Sequence, residues 1–122
     1  MRPGGPFTVV VCDGGFCGEH GRSVVEGLRD CVRGHPHAML VSAGCLLGRA
    51  GCHAFAAGRG NGALVMVQPC TIERRPVGPA LWAGPVADDA DLADLLRWLD
   101  GGDLRAALLP ARLRFRAAVA AN

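Results

Sequence analysis

Two short apolar runs, FTVVVC at residues 7–12 and AMLVS at residues 38–42, bound the segment that determines the fold. Both runs are short, apolar and bounded by turn residues, which predicts a buried strand for each. Residues 21–33 carry apolar side chains at helical spacing with charged residues between them, so a helix should join the two strands. A strand, a helix and a strand in succession predict parallel strands with a right-handed crossover.

A glycine-rich segment follows this unit. Residues 43–62 contain six glycines and two cysteines, and a long loop of this kind inside a compact domain is usually functional. A short helical turn is possible near residues 53–57. Residues 63–68 then predict a third strand, and residues 71–75 a fourth that would pair with it antiparallel because the link is short. Residues 81–84 would close this segment.

Two helical patterns complete the chain. Leucines at positions 92, 95, 96 and 99 recur at helical spacing, Asp88 or Asp89 can cap the helix, and Gly101 and Gly102 should end it. A last pattern runs from Leu104 to Val119, with Pro110 expected to start or kink its second half. The predicted class is therefore α/β with a mixed sheet and a C-terminal helical tail.

Composition narrows the class of protein. The chain has 122 residues, half of them apolar and a fifth charged, which fits one folded domain and excludes a disordered chain. Its longest apolar runs fall well short of the ~20 residues that span a bilayer, and the N-terminus lacks the pattern of a signal peptide. We therefore expect a cytoplasmic protein without a membrane partner.

Charge gives little support for nucleic-acid binding. All 13 basic residues are arginine, the net charge is only +2, and no aromatic residues are interleaved to stack on bases. The distribution is uneven, since residues 88–103 hold six aspartates and the tail at 104–122 holds four arginines and no acid. These two segments could dock a partner or simply form solvated helical faces.

The cysteines raise the functional question. The chain has six of them, at positions 12, 17, 31, 45, 52 and 70. In a reducing compartment, clustered cysteines more often bind metal or carry out redox chemistry than form structural disulfides. Because parallel strands point the same way, the loops after the first two strands should meet at one end of the sheet. Two short-spaced pairs there could supply the four terminal thiolates that two sulfide-bridged irons need.

The cysteine spacing resembles that of the thioredoxin-like [2Fe–2S] ferredoxins, including the ferredoxin-like subunit of respiratory NADH dehydrogenase. In that family a C-x4-C pair follows the first strand, as Cys12 and Cys17 do here. A second pair lies in a Gly-Cys-Leu-Gly-type loop after the second strand, in the position of Cys45 and Cys52. The family's next strand, apolar and ending at a proline, looks like residues 65–69, and its closing acidic helix looks like residues 88–99.

The resemblance covers residues 7–100 and implies a thioredoxin-like βαβ unit followed by a β-hairpin and a helix. Residues 1–103 would form the ferredoxin domain, and residues 104–122 a helical extension of the same domain. It also implies a [2Fe–2S] cluster held by four ligands, Cys12, Cys17, Cys45 and Cys52. The second pair departs from the family's C-x3-C, since it is C-x6-C here, and this leaves Cys70 open as an alternative fourth ligand.

The resemblance implies an electron carrier rather than an enzyme. It would pass one electron between a reductase and an acceptor enzyme, and related small ferredoxins often form homodimers. The sequence lacks a G-x-G-x-x-G motif, a P-loop and a Ser-His-Asp pattern, which fits a carrier without a substrate pocket.

Other uses of the same cysteines stay open. The four could form a zinc site, and Cys45, Cys52 and His53 could bind copper or deliver a cluster. A thiol-redox protein using Cys45 and Cys52, or a partner-binding module that has lost its cluster, are further alternatives. Cys31 lies on the apolar stripe of the first helix and is expected to be a small buried side chain. His35 should have a capping or solvent role.

Overall fold

The computed structural model describes residues 5–12, 18–43 and 63–114. This part of the chain is a mixed α/β structure with a four-stranded sheet and two helices. The strands are β1 (Phe7–Cys12), β2 (Ala38–Ala43), β3 (Ala63–Pro69) and β4 (Leu81–Val86). The helices are α1 (Gly18–Arg33) and α2 (Asp89–Gly101), and two 3₁₀ turns follow at Ala106–Leu108 and Ala111–Leu113.

The strands lie in the order β2-β1-β3-β4. β1 and β2 are parallel, with Phe7 opposite Ala38 and Cys12 opposite Ala43, which confirms the prediction for this pair. β3 runs antiparallel to both of its neighbours, β1 and β4. The two ends of the sheet are therefore distinct. We call them the Cys12 end, where β1, β2 and β4 finish and β3 begins, and the Phe7 end, where the directions are reversed.

One face of the sheet packs against both helices. Alternate residues of β1 (Phe7, Val9 and Val11) are buried there against Val24 and Leu28 of α1. Leu95 and Leu99 of α2 complete the same core. Each fully buried leucine or valine contributes about 1.5–3 kcal/mol relative to an exposed one, so this face is the main source of stability.

The two helices approach each other closely. A Cβ atom placed on Gly27 of α1 would lie 2.8 Å from a methyl carbon of Leu92 in α2. The ends of α2 are those that the sequence predicts, since the Asp88 carboxylate accepts a 2.8 Å hydrogen bond from the Asp91 backbone N–H. At the other end Gly102 has φ 82°, the left-handed conformation typical of a helix C-cap.

The predicted strand at residues 71–75 is wrong. This segment is a turn, in which the N–H of Thr71 donates to the carbonyl of Arg75 and the N–H of Arg74 donates to that of Thr71, each at 2.9 Å. Arg74 has φ 68°, which an extended strand does not allow. The strand that pairs with β3 is instead β4, at residues 81–86.

The segment after α2 also differs from the prediction. As far as the structure describes it, to residue 114, it forms two 3₁₀ turns separated by Pro110 rather than a continuous helix. Proline cannot donate the helical hydrogen bond, which accounts for the break. Leu109 and Leu113 are buried in the core, and Arg114 forms a bridge with Ala83 along the outer edge of β4. This segment thus covers an edge strand.

Neither α1 nor α2, the helices of the described residues, has the length and apolar character needed to cross a membrane.

Candidate functional site

Cys12 is the last residue of β1 and is almost fully buried, with 2% of its surface exposed. In the register it lies opposite Ala43, the last residue of β2. The other three predicted ligands, Cys17, Cys45 and Cys52, fall outside the described residues, as do the predicted helical turn at 53–57 and His53. Cys12 is therefore the one predicted ligand of the principal set whose position the structure describes.

The strand topology groups the chain segments that carry these cysteines. Residues 13–17 connect the end of β1 to the start of α1, so this segment begins at the Cys12 end of the sheet. Residues 44–62 connect the end of β2 to the start of β3, and both of those points lie at the same end. In the strand order β2 and β3 flank β1. The two segments with the remaining predicted ligands are thus anchored beside Cys12.

Cys70 lies at the opposite end of the sheet. It follows β3, and its backbone N–H donates a 3.0 Å hydrogen bond to the carbonyl of Pro6, next to the start of β1. At about 3.3 Å per residue, the length of β1 puts Cys70 roughly 17–20 Å from Cys12. A single small cluster cannot take ligands from both. The alternative in which Cys70 replaces Cys52 does not fit this register.

The surroundings of Cys70 are those of a structural residue. Its side chain is buried, and Arg74 Nη1 lies 3.5 Å from its sulfur. The same guanidinium nitrogen donates to the carbonyl of Phe7 at 3.1 Å and to Thr8 Oγ1 at 3.4 Å. Arg74 therefore ties the turn after β3 to the start of β1, with the Cys70 thiol packed in between.

A second group of side chains that could hold a metal ion was not predicted from the sequence. Sγ of Cys31, Nε2 of His35 and a carboxylate oxygen of Asp100 all lie within 4.8 Å of one another at the Phe7 end. His35 Nε2 is 2.9 Å from Asp100 Oδ1, and the Cys31 thiol donates to the same oxygen at 3.8 Å. These three residues come from the end of α1, the turn that follows it and the last part of α2. We call them the Cys31 cluster.

Cys31 and His35 differ from their expected roles. Cys31 is only half-buried and contacts a carboxylate as well as the core. Burial raises the pKa of its thiol to about 11, and the charge of Asp100 and the hydrogen bond to it act in the same direction. His35 is not at the surface, since its ring packs edge-on against Phe7 with centroids 5.5 Å apart.

Part of this cluster could be predicted from the sequence and part could not. Cys31 and His35 are four residues apart, the spacing that places side chains on one face of a helix. The contact of either residue with Asp100 spans more than 60 positions, so no local pattern indicates it.

The acidic and basic segments are partly paired with each other. Arg112 donates to Asp91 at 2.8 Å and also to Asp94, so it joins the C-terminal segment to α2. Arg105 pairs with Asp103, and Arg114 donates to the carbonyls of Leu109 and Ala107. The charge asymmetry seen in the sequence therefore reflects internal complementarity in the described part of the tail.

Comparison of the chain with protein-family models, with curated proteins and with solved structures gave no match.

Proposed function

We propose that the chain is a small [2Fe–2S] electron-transfer protein of the thioredoxin-like type, with Cys12, Cys17, Cys45 and Cys52 as cluster ligands. The observation that carries this proposal is that the described residues bordering 13–17 and 44–62, namely Cys12, Ala43 and Ala63, lie at the Cys12 end of the sheet. Four thiolates are the donor set that such a cluster needs, and all four come from Cys12 or from segments attached beside it.

The order of elements supports the fold that the resemblance implies. A parallel β1–β2 pair joined by α1 is followed by the antiparallel strands β3 and β4 and by α2. The family pattern calls for a βαβ unit, a β-hairpin and a helix in that sequence. The pairing of β3 with the later strand at residues 81–86 preserves this order.

The environment at the Cys12 end also suits a negatively charged centre. α1 begins at Gly18, just after the segment that carries Cys17, and the backbone N–H groups at a helix start favour nearby thiolates. Low exposure of Cys12 keeps water from at least one ligand. Hydrogen bonding and solvent exposure are the means by which a protein sets the potential of such a cluster, which when bound accepts and releases one electron.

Electron transfer requires two partner proteins, a reductase and an acceptor enzyme, and we place the exchange in the cytoplasm. The Cys12 end is the surface that partners would approach, since electron transfer needs the ligands to lie close to the contact. The outer strand β2 ends there, and it exposes Val41 in its second half and Met39 nearer the Phe7 end. This exposed strand is also where we expect a homodimer contact.

The first experiment is an anaerobic visible absorption spectrum of the purified protein, with iron, sulfide and zinc analysis of the same sample. We expect a coloured protein with about two irons and two sulfides per chain. A colourless protein with one zinc that Cys12→Ser loses and Cys31→Ser keeps would replace the cluster with a zinc site on the same cysteines. A colourless, metal-free protein that resists reconstitution would overturn the proposal and leave a thiol-redox protein or a partner module.

Substitution of Cys12 tests the ligand assignment. Cys12→Ser should bleach or shift the visible spectrum, because a serine oxygen is a poorer ligand to iron than a thiolate. Cys31→Ser is the matched control, since Cys31 lies at the other end of the molecule, and its spectrum should be unchanged. A normal spectrum in Cys12→Ser would remove Cys12 from the ligand set.

A further inference from the structure

The Cys31 cluster brings a thiol, an imidazole and a carboxylate together at the Phe7 end of the sheet. We propose that this cluster binds a divalent transition-metal ion, with zinc the best match, at a site separate from the one at the Cys12 end. The site would join the C-terminal ends of the two helices. It does not depend on the proposed electron-transfer function.

The chemistry of the three groups selects the ion. Sulfur, nitrogen and oxygen ligands together suit zinc and its neighbours, whereas magnesium and calcium prefer oxygen alone. Three protein ligands leave one position of a tetrahedral zinc ion for water. The carboxylate side of the cluster is open to solvent, since the Asp100 side chain is 66% exposed. An ion can therefore enter and keep a bound water.

The two distances to Asp100 need little adjustment. With zinc bonds of about 2.0–2.3 Å, tetrahedral ligand atoms lie ~3.3–3.7 Å apart. The sulfur of Cys31 is 3.8 Å from Asp100 Oδ1, and Nε2 of His35 is 2.9 Å from it. A shift of the exposed Asp100 carboxylate by about half an ångström would bring both separations into that range. The Cys31 sulfur and the His35 ring nitrogen lie within 4.8 Å of each other, so these two side chains would close on the ion by up to about 1 Å.

The backbone holds two of the ligands in place. The N–H of Gly34 donates to the carbonyl of Cys31, and the N–H of His35 donates to that of Val32, each at 3.0 Å. These bonds continue the last turn of α1 and keep Cys31 and His35 on the same side of that turn. The His35 ring is fixed further by its contact with Phe7. Such prior ordering lowers the entropy lost when an ion binds.

Charge balance also fits a divalent ion. Cys31 would lose its proton to solvent on binding, as metal-bound cysteines do. The resulting thiolate and the Asp100 carboxylate carry two negative charges against the two positive charges of the ion. His35 binds as the neutral imidazole through Nε2.

A nucleophilic thiol is the rival use of these residues, and the geometry disfavours it. A catalytic cysteine needs a depressed pKa and a base that takes its proton. Here burial and the neighbouring carboxylate raise the pKa of Cys31, and the thiol donates its hydrogen to Asp100. An ion that replaces the proton would hold Cys31 as a thiolate.

The test is a zinc titration of the metal-stripped full chain, followed by amide NMR. Amide signals report on each residue, so binding at the Cys31 cluster is distinguished from zinc taken up by cysteines elsewhere. We expect the signals of Cys31, His35 and Asp100 to shift together and to saturate at one zinc per cluster. The melting temperature should rise with zinc as well, because the ion binds the folded chain.

Three variants make the assignment specific. Cys31→Ser and Asp100→Asn keep the size of the side chain, and each should weaken zinc binding at these amides by about tenfold or more. His37→Gln is the control, because His37 is exposed, lies two residues from His35 and is not in the cluster. The proposal fails if excess zinc leaves the three amides of the wild-type chain unshifted, or if Cys31→Ser and Asp100→Asn bind zinc as the wild type does.

Discussion

Gly84 has a backbone conformation that other residues rarely adopt, with φ 138°. It lies at an irregularity in the β3–β4 pairing, where Ala63 is opposite Val86 but Val65 is opposite Ala83. β4 thus has one more residue than β3 at this point, the pattern of a β-bulge. A Cβ atom on Gly84 would lie 2.8 Å from the carbonyl oxygen of Ala63. The close approach fixes β4 against the first residue of β3, at the Cys12 end.

Gly84→Ala should therefore be strongly destabilising. The added methyl group meets backbone rather than a flexible side chain, and the positive φ adds strain, for a loss of about 1–3 kcal/mol in the free energy of unfolding. Urea denaturation followed by circular dichroism measures this loss. Gly101→Ala is the control, because nothing lies within 4 Å of its Cβ position and alanine favours a helix. Equal stability of the two variants would contradict the close packing at Gly84.

Cys31 shows why the role of a residue is harder to predict than its element. Its place on the apolar stripe of α1 is readable, and the structure does pack it against the core. Its polar partner Asp100 comes from a different helix, and only the packing of α1 against α2 brings the two together. A helical period predicts which side of a helix is buried, but not which residue of the next helix faces it.

At the scale of elements, Arg112 is the main polar link between the C-terminal segment and α2. It donates to the carboxylates of Asp91 and Asp94, both in the first half of the helix. Burial acts to raise the pKa of Asp91, but hydrogen bonds from Arg112 and from the backbone of Ala87 outweigh it and hold this pKa below its usual value. The Arg112 hydrogen bond, with a second from Arg97, likewise lowers the pKa of Asp94.

This link should make the stability of the folded chain depend on pH in the acid range. Carboxyl groups with lowered pKa values stabilise the folded chain at every pH above their usual pKa of 3.8. This stabilisation is lost as the pH falls through the lowered pKa values. Arg112→Gln should therefore lower the melting temperature at neutral pH by a small amount, since the groups are near the surface. The difference from the wild type should shrink below pH 3.8.

Arg33→Gln is the matched control for that series. Arg33 also forms an arginine–aspartate pair, but its partner Asp30 lies one turn away on the same helix, and both side chains are exposed. Breaking a pair within one helix should change the melting temperature less than breaking one that joins two segments. If thermal melts give the two variants the same loss at neutral pH, Arg112 does not hold the C-terminal segment in place.

The elements that the sequence predicts well are those with a regular period. β1, α1, β2, β3 and α2 have apolar residues at strand or helix spacing, and their positions agree with the structure to within a few residues. The turn at residues 71–75 was predicted as a strand because Thr71 and Ile72 are β-branched residues typical of strands. No sequence pattern indicates the left-handed conformation of Arg74. The pattern after residue 103 predicts a helix, but up to residue 114 the chain forms two 3₁₀ turns. Pro110 and packing against β4 account for the difference.

At the scale of the whole molecule, the sheet separates Cys12 from the other thiols that the structure describes, Cys31 and Cys70. The parallel β1–β2 pair and the antiparallel β3 put the termini of residues 13–17 and 44–62 at the Cys12 end. The opposite end holds Cys70 and the Cys31 cluster. The sequence predicts that residues 13–17 and 44–62 begin at the same end, because a strand, a helix and a strand in succession predict a parallel pair. It does not predict where Cys70 lies, since that requires the register of β3 on β1.

The same separation predicts which cysteine completes the proposed cluster site. Cys52 belongs to a segment that starts and ends at the Cys12 end, whereas Cys70 is held about a strand's length away by its bond to Pro6. Cys52→Ser should therefore lose iron and visible absorbance, and Cys70→Ser should keep both. Iron analysis and anaerobic spectra of the two purified variants measure the difference. Loss of the cluster in Cys70→Ser with full retention in Cys52→Ser would mean that the antiparallel register of β3 on β1 is not the one that the folded protein uses.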